Sequence, residues 1–489
     1  MNESTFIKNI QNEMRKDSGV DGDAQRLSQL VWIIFLKIID DEEIEREALD
    51  DNYLPAVPDK YRWRTWAADP MGLTGDALLR FINDDLFPGL KDLPFNDDNR
   101  LTSVVREVFA ELNNYMKDGT QLRKIINIVN TVDFNTTKDR HAFGDIYEKL
   151  LSSLQSAGNS GEFYTPRPIT NFIVEMVNPQ LGEKVLDPAA GTGGFLAAAV
   201  DHLNKQVQTT EQRDIIQNSI YGIEWKQLPY SLLITNMIFH GIDQPDNIRH
   251  DDALSRPLTD YGRADQVDCI CANPPFGGVV APGVEMNFPT KYRSKETADL
   301  FIALMMRRLS DGGRAGIVLP DGFLFNTDNN VKVNLKKDLL TDFNLHTIIR
   351  LPGSVFAPYT SIATNLLFFD KGKPTEGIWY YEHTLPAGVK AYNKTNPIKL
   401  SEFDPIRQWW NNRVENEHAW YVPVEQIVER NYNLDIKNPR AKVDEELDPV
   451  ELLRDYRAKR QQAEQIIAEL KTELQNLLNS ASAANGDDK

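Results

Sequence analysis

Between residues 141 and about 370 the chain repeats one pattern, a short apolar run of strand length followed by a longer segment of helical periodicity. The runs are Lys184–Leu186, Ser219–Ile223, Val267–Ala272, Ala315–Leu319, His346–Leu351 and Thr364–Phe369. A strand that returns parallel to its predecessor needs a crossover of about a dozen residues or more, so the alternation predicts an α/β fold with a doubly wound sheet. Ligands of such sheets bind outside the carboxyl ends of the strands. The residues that follow each predicted strand are therefore the first place to look for chemistry.

Two strand ends are informative. Val267–Ala272 runs into Asn273-Pro274-Pro275-Phe276, which sets a side-chain amide, a backbone kink and an aromatic ring side by side. The Asn273 carboxamide oxygen and the Pro274 carbonyl can each accept a hydrogen bond from an exocyclic amine, and Phe276 offers a face for stacking. An Asn-Pro turn is the plain alternative for the tetrapeptide alone. Lys184–Leu186 runs into Asp187-Pro188-Ala189-Ala190-Gly191-Thr192-Gly193-Gly194-Phe195. Glycine has no Cβ and takes positive φ, so this turn lets backbone approach a ligand closely. No Lys-Ser/Thr follows, which excludes a Walker loop. Asp187 is unsuited to a pyrophosphate and suited to a ligand bearing an ammonium group. Glu224, 37 residues after Asp187 at the next strand end, is placed for ribose hydroxyls. Asp252 is the candidate acceptor for an adenine amino group, with Asp251 beside it as an open alternative. Together these describe S-adenosylmethionine and an amino substrate.

In order along the chain, Gly161-Glu162-Phe163-Tyr164-Thr165-Pro166, Asp187 to Phe195 and Asn273 to Phe276 resemble the gamma arrangement of the DNA adenine-N6 methyltransferases. More closely, the chain resembles the modification subunit of type I restriction-modification systems, over residues 1 to about 440. The resemblance implies a Rossmann-like S-adenosylmethionine-dependent methyltransferase sheet. It places Thr165, with Glu162, Tyr164 and Pro166, at the methionine end of the cofactor, and makes Ala189, Gly191, Thr192, Gly193, Gly194 and Phe195 part of the cofactor turn. A second aromatic for the substrate base is expected later, and Phe356 fits, with a buried core residue as the alternative. A duplex hides the adenine amine, so the base has to be flipped out. No metal is required. A protein-glutamine methyltransferase could use Asn-Pro-Pro chemistry, but those enzymes usually end the motif in Tyr and lack a large helical front domain.

Residues 1–140 read as a helical domain from the periodicities Leu27-Val31-Ile34-Phe35-Ile38 and Val104-Val105-Val108-Phe109-Leu112. Residues 141–440 are the expected catalytic domain, although 371–440, with Trp379, Trp409, Trp410 and Trp420, has no evident role. In 441–479, Leu453, Tyr456, Arg460, Ala463, Ile467, Leu470, Leu474 and Leu477 alternate at spacings of three and four, a coiled-coil seam suited to subunit contact. Residues 480–489 read as a disordered tail. The net charge of −18 is unusual for a protein that grips DNA alone, since phosphate neutralisation calls for a basic excess. Little sequence remains after the sheet for a target-recognition domain. Specificity is therefore expected from a separate subunit; the resemblance implies two modification chains per specificity chain on double-stranded DNA, with a restriction subunit in the full complex. A self-sufficient methyltransferase is the alternative. No secretory signal or membrane span is read, so a cytoplasmic location is expected. Cys269 and Cys271 lie on one face of a strand without a His/Cys cluster and read as buried packing.

Overall fold

Apolar residues on both faces of a run require cover on both faces, and the chain supplies it around a single sheet. A computed structural model describes residues 3–95, 99–134, 147, 164–357, 359–441 and, further on, 453–472 except 455, 463, 466 and 469. Its strands are β1 (Val185–Asp187), β2 (Ile220–Glu224), β3 (Ile248–His250), β4 (Val267–Ala272), β5 (Leu309–Pro320), β6 (Phe343–Arg350), β7 (Thr364–Lys371), β8 (Gly377–Glu382) and β9 (Ala419–Pro423). They lie side by side in the order β3-β2-β1-β4-β5-β7-β6-β8-β9. β1 to β5 are parallel, and β7 is inserted antiparallel between β5 and β6. The order reverses between β1 and β4, which opens a crevice at their carboxyl ends.

Period-two alternation sorts the strand residues into two cores. Val185, Cys269, Cys271, Val318 and Phe368 join the core that includes the N-terminal helices, while Leu186, Ile270, Ala272, Ile317 and Leu367 join the core on the other face. Both cysteines are buried strand residues, as read from their spacing. Helix Gln227–Phe239 is buried on every side, as a helix apolar all round must be. It runs between the sheet and the helices Asp23–Leu49 and Arg100–Phe109. Residues 1–438 pack as one compact unit.

Six of the strands match the apolar runs, with two sizeable differences in extent. β5 begins at Leu309 rather than Ala315, because the polar Ser310-Asp311-Gly312-Gly313 reads as a turn but lies inside the strand, where the register against β4 shifts and Gly312 takes φ 79°. β6 begins at Phe343. Residues 371–440 extend the sheet: β8 pairs with β6, β9 pairs with β8, and the Trp420 and Tyr380 rings stack at 5.4 Å. In the second unit, residues 439–489, the described part is helical between 453 and 472 and leaves Leu453, Tyr456, Ile467 and Leu470 exposed. Ala463, Leu474, Leu477 and the 480–489 tail lie outside the described residues. Among the described residues no helix is long and apolar enough to cross a membrane.

Helices Thr297–Arg308 and Asn330–Thr341 are joined by a buried ion pair under the crevice, Lys332 Nζ to Asp299 Oδ1 at 2.7 Å. Asp299 Oδ2 also accepts from Ser294 Oγ at 2.8 Å. Lys332 Nζ also pairs with the half-exposed Glu296 Oε2 at 2.6 Å, whereas Asp299 has no second ion-pair partner among the described residues, so removing Lys332 strands a buried carboxylate while replacing both with apolar residues need not. Lys332→Met is expected to lower stability by about 3–5 kcal/mol in urea denaturation. The double variant Asp299→Leu/Lys332→Met should recover most of that loss; a double variant as unstable as the single one would contradict the pairing.

Candidate functional site

The crevice holds a cavity of about 310 Å³. Four strand ends build it. From β1 come Asp187, Ala189 to Thr192 and Gly194, with Gly193 in the same turn but not lining the cavity; from β2, Glu224 and Trp225; after β3, Asp251, Asp252, Ala253 and Leu254; from β4, Asn273 and Pro275. Thr165 enters from the segment before helix Arg167–Val177. Residues separated by more than a hundred positions are thus brought together by the parallel order alone.

The turn after β1 is a tight one. Gly191 and Gly193 take φ of 55° and 85°, and a Cβ on Gly193 would stand 2.6 Å from Leu233 Cδ1. The Thr192 carbonyl accepts from the buried Asn236 amide at 3.0 Å, and Gly191 N donates to Glu224 Oε2 at 2.9 Å. Glu224 Oε1 accepts from Lys226 N at 2.8 Å, so its carboxylate ties two strand ends together. Asp187 is 1% exposed; one oxygen accepts from Ala189 N at 3.0 Å, and Oδ2 has no partner. Burial pushes its carboxyl up to about 8, the Ala189 N–H opposes the rise, and Glu224 adds to it. Burial likewise pushes Glu224 up to about 7 against the backbone N–H groups of Lys226 and Gly191.

At the end of β4, Asn273 Nδ2 donates to Thr165 Oγ1 at 3.0 Å, while Asn273 Oδ1 is buried without a hydrogen-bond partner. Among the described residues the site therefore contains two orphaned acceptors, Asp187 Oδ2 and Asn273 Oδ1. A buried acceptor left without a donor is costly, which marks these atoms as groups whose donors arrive with a ligand.

Of the other residues singled out from sequence, Gly194, Phe195, Asp252 and Pro275 line the cavity, and Tyr164, Pro166 and Pro274 are buried beside it in the chain. Asp251 and Asp252 both line it; Asp252 Oδ1 accepts from Leu254 N at 2.9 Å. Glu162 lies outside the described residues. Phe276 is half-buried, and Phe356, 3% exposed, meets it edge to face at 6.2 Å instead of lining the cavity. Sequence reasoning missed Trp225, Val279, Val280 and Phe301. Trp225 had a signal in its position directly after the strand-end acid. The Val279–Val280 wall had none, because tertiary contacts place it: the segment is folded back through Val280 N to Lys295 O and Thr297 N to Gly278 O, both 3.0 Å.

The profile of the N-6 DNA Methylase family matches residues 138–448, and that of the HsdM N-terminal domain matches residues 4–129. The chain belongs to the N-6 DNA methylase family, S-adenosylmethionine-dependent adenine-N6 DNA methyltransferases, and within it to the methylase subunits of type I restriction enzymes. It is 52% identical to the Type I restriction enzyme EcoEI methylase subunit of Escherichia coli, over 99% of each chain. Among solved structures, a modification subunit assigned to a type I restriction enzyme of Vibrio vulnificus YJ016 is 43% identical with a TM-score of 0.80, covering 90% of this chain and 97% of that one. A chain from a study of complex assembly and conformational transition in the type I R-M system is 35% identical with a TM-score of 0.82, covering 97% and 99%.

The raised carboxyls at 187 and 224 have a folding consequence. Their folded values lie above the unfolded ones, so the folded chain keeps protons that the unfolded chain releases. Stability from these groups is greatest below about pH 4 and falls as pH rises to about 8. Asp187→Asn should flatten that decline and melt above wild type at pH 8 to 9 without ligand; parallel pH profiles for the two proteins would contradict the burial argument.

Proposed function

We propose that this chain transfers a methyl group from S-adenosylmethionine to the N6 amine of an adenine flipped out of double-stranded DNA, as a modification subunit that takes its sequence specificity from a separate subunit. The observation that carries the reading is the pair of orphaned acceptors in one cavity. Asp187 Oδ2 suits a cationic ammonium, and Asn273 Oδ1 suits an amine.

The residues of the cavity fit the cofactor part by part. Thr165, with Tyr164, Pro166 and Glu162, would hold the methionine end. Asp187 and the Ala189–Phe195 turn would hold the amino-acid moiety, Glu224 the ribose hydroxyls and Asp252 the adenine amino group. The cofactor supplies an electrophilic methyl on a sulfonium. The protein's own contribution concerns the nucleophile. An adenine amine is a poor one because its lone pair is delocalised into the ring. Asn273 Oδ1 and the Pro274 carbonyl accept its two hydrogens, which favours a pyramidal nitrogen and turns the lone pair toward the methyl for in-line transfer. Thr165 fixes the Asn273 amide from behind. Pro275 continues the kink, Phe276 stacks on the extruded base, and Phe356 stands edge-on behind Phe276. Stacking offsets part of the few kcal/mol that extrusion costs.

The acidic net charge and the exposed seam residues of the C-terminal helix support partners that supply DNA affinity. The proposed assembly is two modification chains per specificity chain, joined by a restriction subunit for cleavage, acting in the cytoplasm. The proposed divisions are a helical domain over 1–140, a catalytic domain over 141–440, a contact helix over 441–479 and a tail over 480–489.

Asn273→Ala should reduce methyl transfer by about a hundredfold or more, the scale seen when one preorganised hydrogen-bonding group is removed. Cofactor affinity, measured calorimetrically, should stay within about a factor of three. Near-normal turnover in the variant would sink the role assigned to Asn273.

A further inference from the structure

We infer that helix Arg100–Phe109, in the N-terminal helical region, is part of the support of the cofactor site, and that Tyr230 and His250 are positioning residues that hold Trp225 against the adenosyl end of the cavity. The inference rests on the cofactor reading above and adds residues and a domain to it.

The cavity wall holds the Trp225 side chain only loosely. It lines the cavity directly after Glu224, yet it is 66% exposed, which is unusual for the largest apolar side chain. Its placement comes from its backbone. The Trp225 carbonyl accepts a hydrogen bond from His250 Nε2 at 2.9 Å. A carbonyl only accepts, so Nε2 carries the proton. The His250 ring lies nearly parallel to the Tyr230 ring, with centroids 4.8 Å apart and planes 22° apart. Tyr230 is fully buried, and its hydroxyl donates to Glu107 Oε2 at 2.7 Å. Glu107 belongs to helix Arg100–Phe109, where Arg100 Nη2 lies 4.0 Å from its other oxygen. A continuous contact path therefore runs from the N-terminal helix through Glu107, Tyr230 and His250 to the Trp225 carbonyl.

A second tie runs parallel to it. Gln227 Nε2 donates to the carbonyls of Glu107 and Val108, both at 2.9 Å. These are last-turn carbonyls, which are open to donors from outside the helix; that of Glu107 also accepts from the capping Ala110 N at 3.3 Å. Residues 224 to 230 thus face two ways. Glu224 and Trp225 face the cavity, while Gln227 and Tyr230 grip helix Arg100–Phe109 across the start of helix Gln227–Phe239.

The physical consequence is a coupling. A shift of helix Arg100–Phe109 acts on residues 225 to 230 through two short paths, one of hydrogen bonds and a ring stack ending on the Trp225 carbonyl and one through the Gln227 amide, so the position of the N-terminal helices and cofactor affinity share one free energy, and the effect is reciprocal. The competing explanation is ordinary packing, in which the Tyr230 hydroxyl needs some acceptor because it is buried. Packing alone predicts a change in stability and none in the cofactor site.

The test is a titration of the full-length chain with S-adenosylmethionine followed by tryptophan fluorescence, with Trp225→Phe identifying the share of the signal that Trp225 reports. Tyr230→Phe and Glu107→Ala should each raise Kd by about threefold to tenfold, the range that one hydrogen bond commands. Glu107→Gln keeps an acceptor for the Tyr230 hydroxyl and should stay within about twofold of wild type. In methylation assays with DNA and the specificity partner, the first two variants should raise KM for the cofactor and leave kcat unchanged. If both bind the cofactor as tightly as wild type and lose only thermal stability, the path is packing and the inference fails. If wild type itself binds no S-adenosylmethionine, the cofactor reading fails and takes the inference with it. Should Tyr230→Phe fold poorly, Glu107→Ala and His250→Ala carry the same expectation, and unchanged affinity in both would overturn it.

Discussion

The carboxyl edge of the sheet is organised around two acceptors that the protein itself leaves unsatisfied. Burying Asp187 Oδ2 and Asn273 Oδ1 without donors works against folding, and the surrounding structure is arranged to keep them there. Glycines at positive φ bring the turn after β1 close to Asp187, Glu224 bridges from β2, and Thr165 occupies the nitrogen side of the Asn273 amide so that its oxygen faces the cavity. The parallel order makes this possible, because β1 and β4 are sequence-distant neighbours whose ends open on the same side. A cavity lined this way is preorganised. Its polar groups are already aimed before any ligand arrives, and no reorganisation is needed at the moment of reaction.

Much of this was legible in the sequence, for identifiable reasons. Asn273–Phe276 and the glycine turn stood out because each ends an apolar run, and a doubly wound sheet puts such ends at its binding edge. The helices over Leu27–Ile38 and Val104–Phe109 were legible because their apolar periodicity is helical, and those positions are buried; Leu112, read into the second pattern, is buried beyond the helix end. What stayed hidden depended on tertiary partners. β8 and β9 are separated by a long segment that includes helix Asp404–Asn411 and carry aromatic residues that suit several environments, so nothing local declared them strands. Ser310 to Gly313 looks like a turn because the shift in register that absorbs it is a property of the pairing with β4. Phe356 carried a substrate signal, but its burial against Phe276 is decided by the fold around it.

The N-terminal helices and the sheet are less separable than their sequences suggest. Helix Gln227–Phe239 has no solvent-facing side, and helices from the front of the chain pack against it. Polar residues on that helix, Gln227 and Tyr230, consequently became contacts to helix Arg100–Phe109.

The account's central claim is that the two orphaned acceptors mark where the two reactants sit. The most direct measurement is a structure of this chain assembled with its specificity partner, a duplex carrying the target adenine and a non-reactive analogue of S-adenosylmethionine. The account predicts an extrahelical adenine whose amine donates to Asn273 Oδ1 and the Pro274 carbonyl, with the analogue's ammonium on Asp187 Oδ2. An adenine amine bound elsewhere, or an analogue whose ammonium turns away from Asp187, would contradict it.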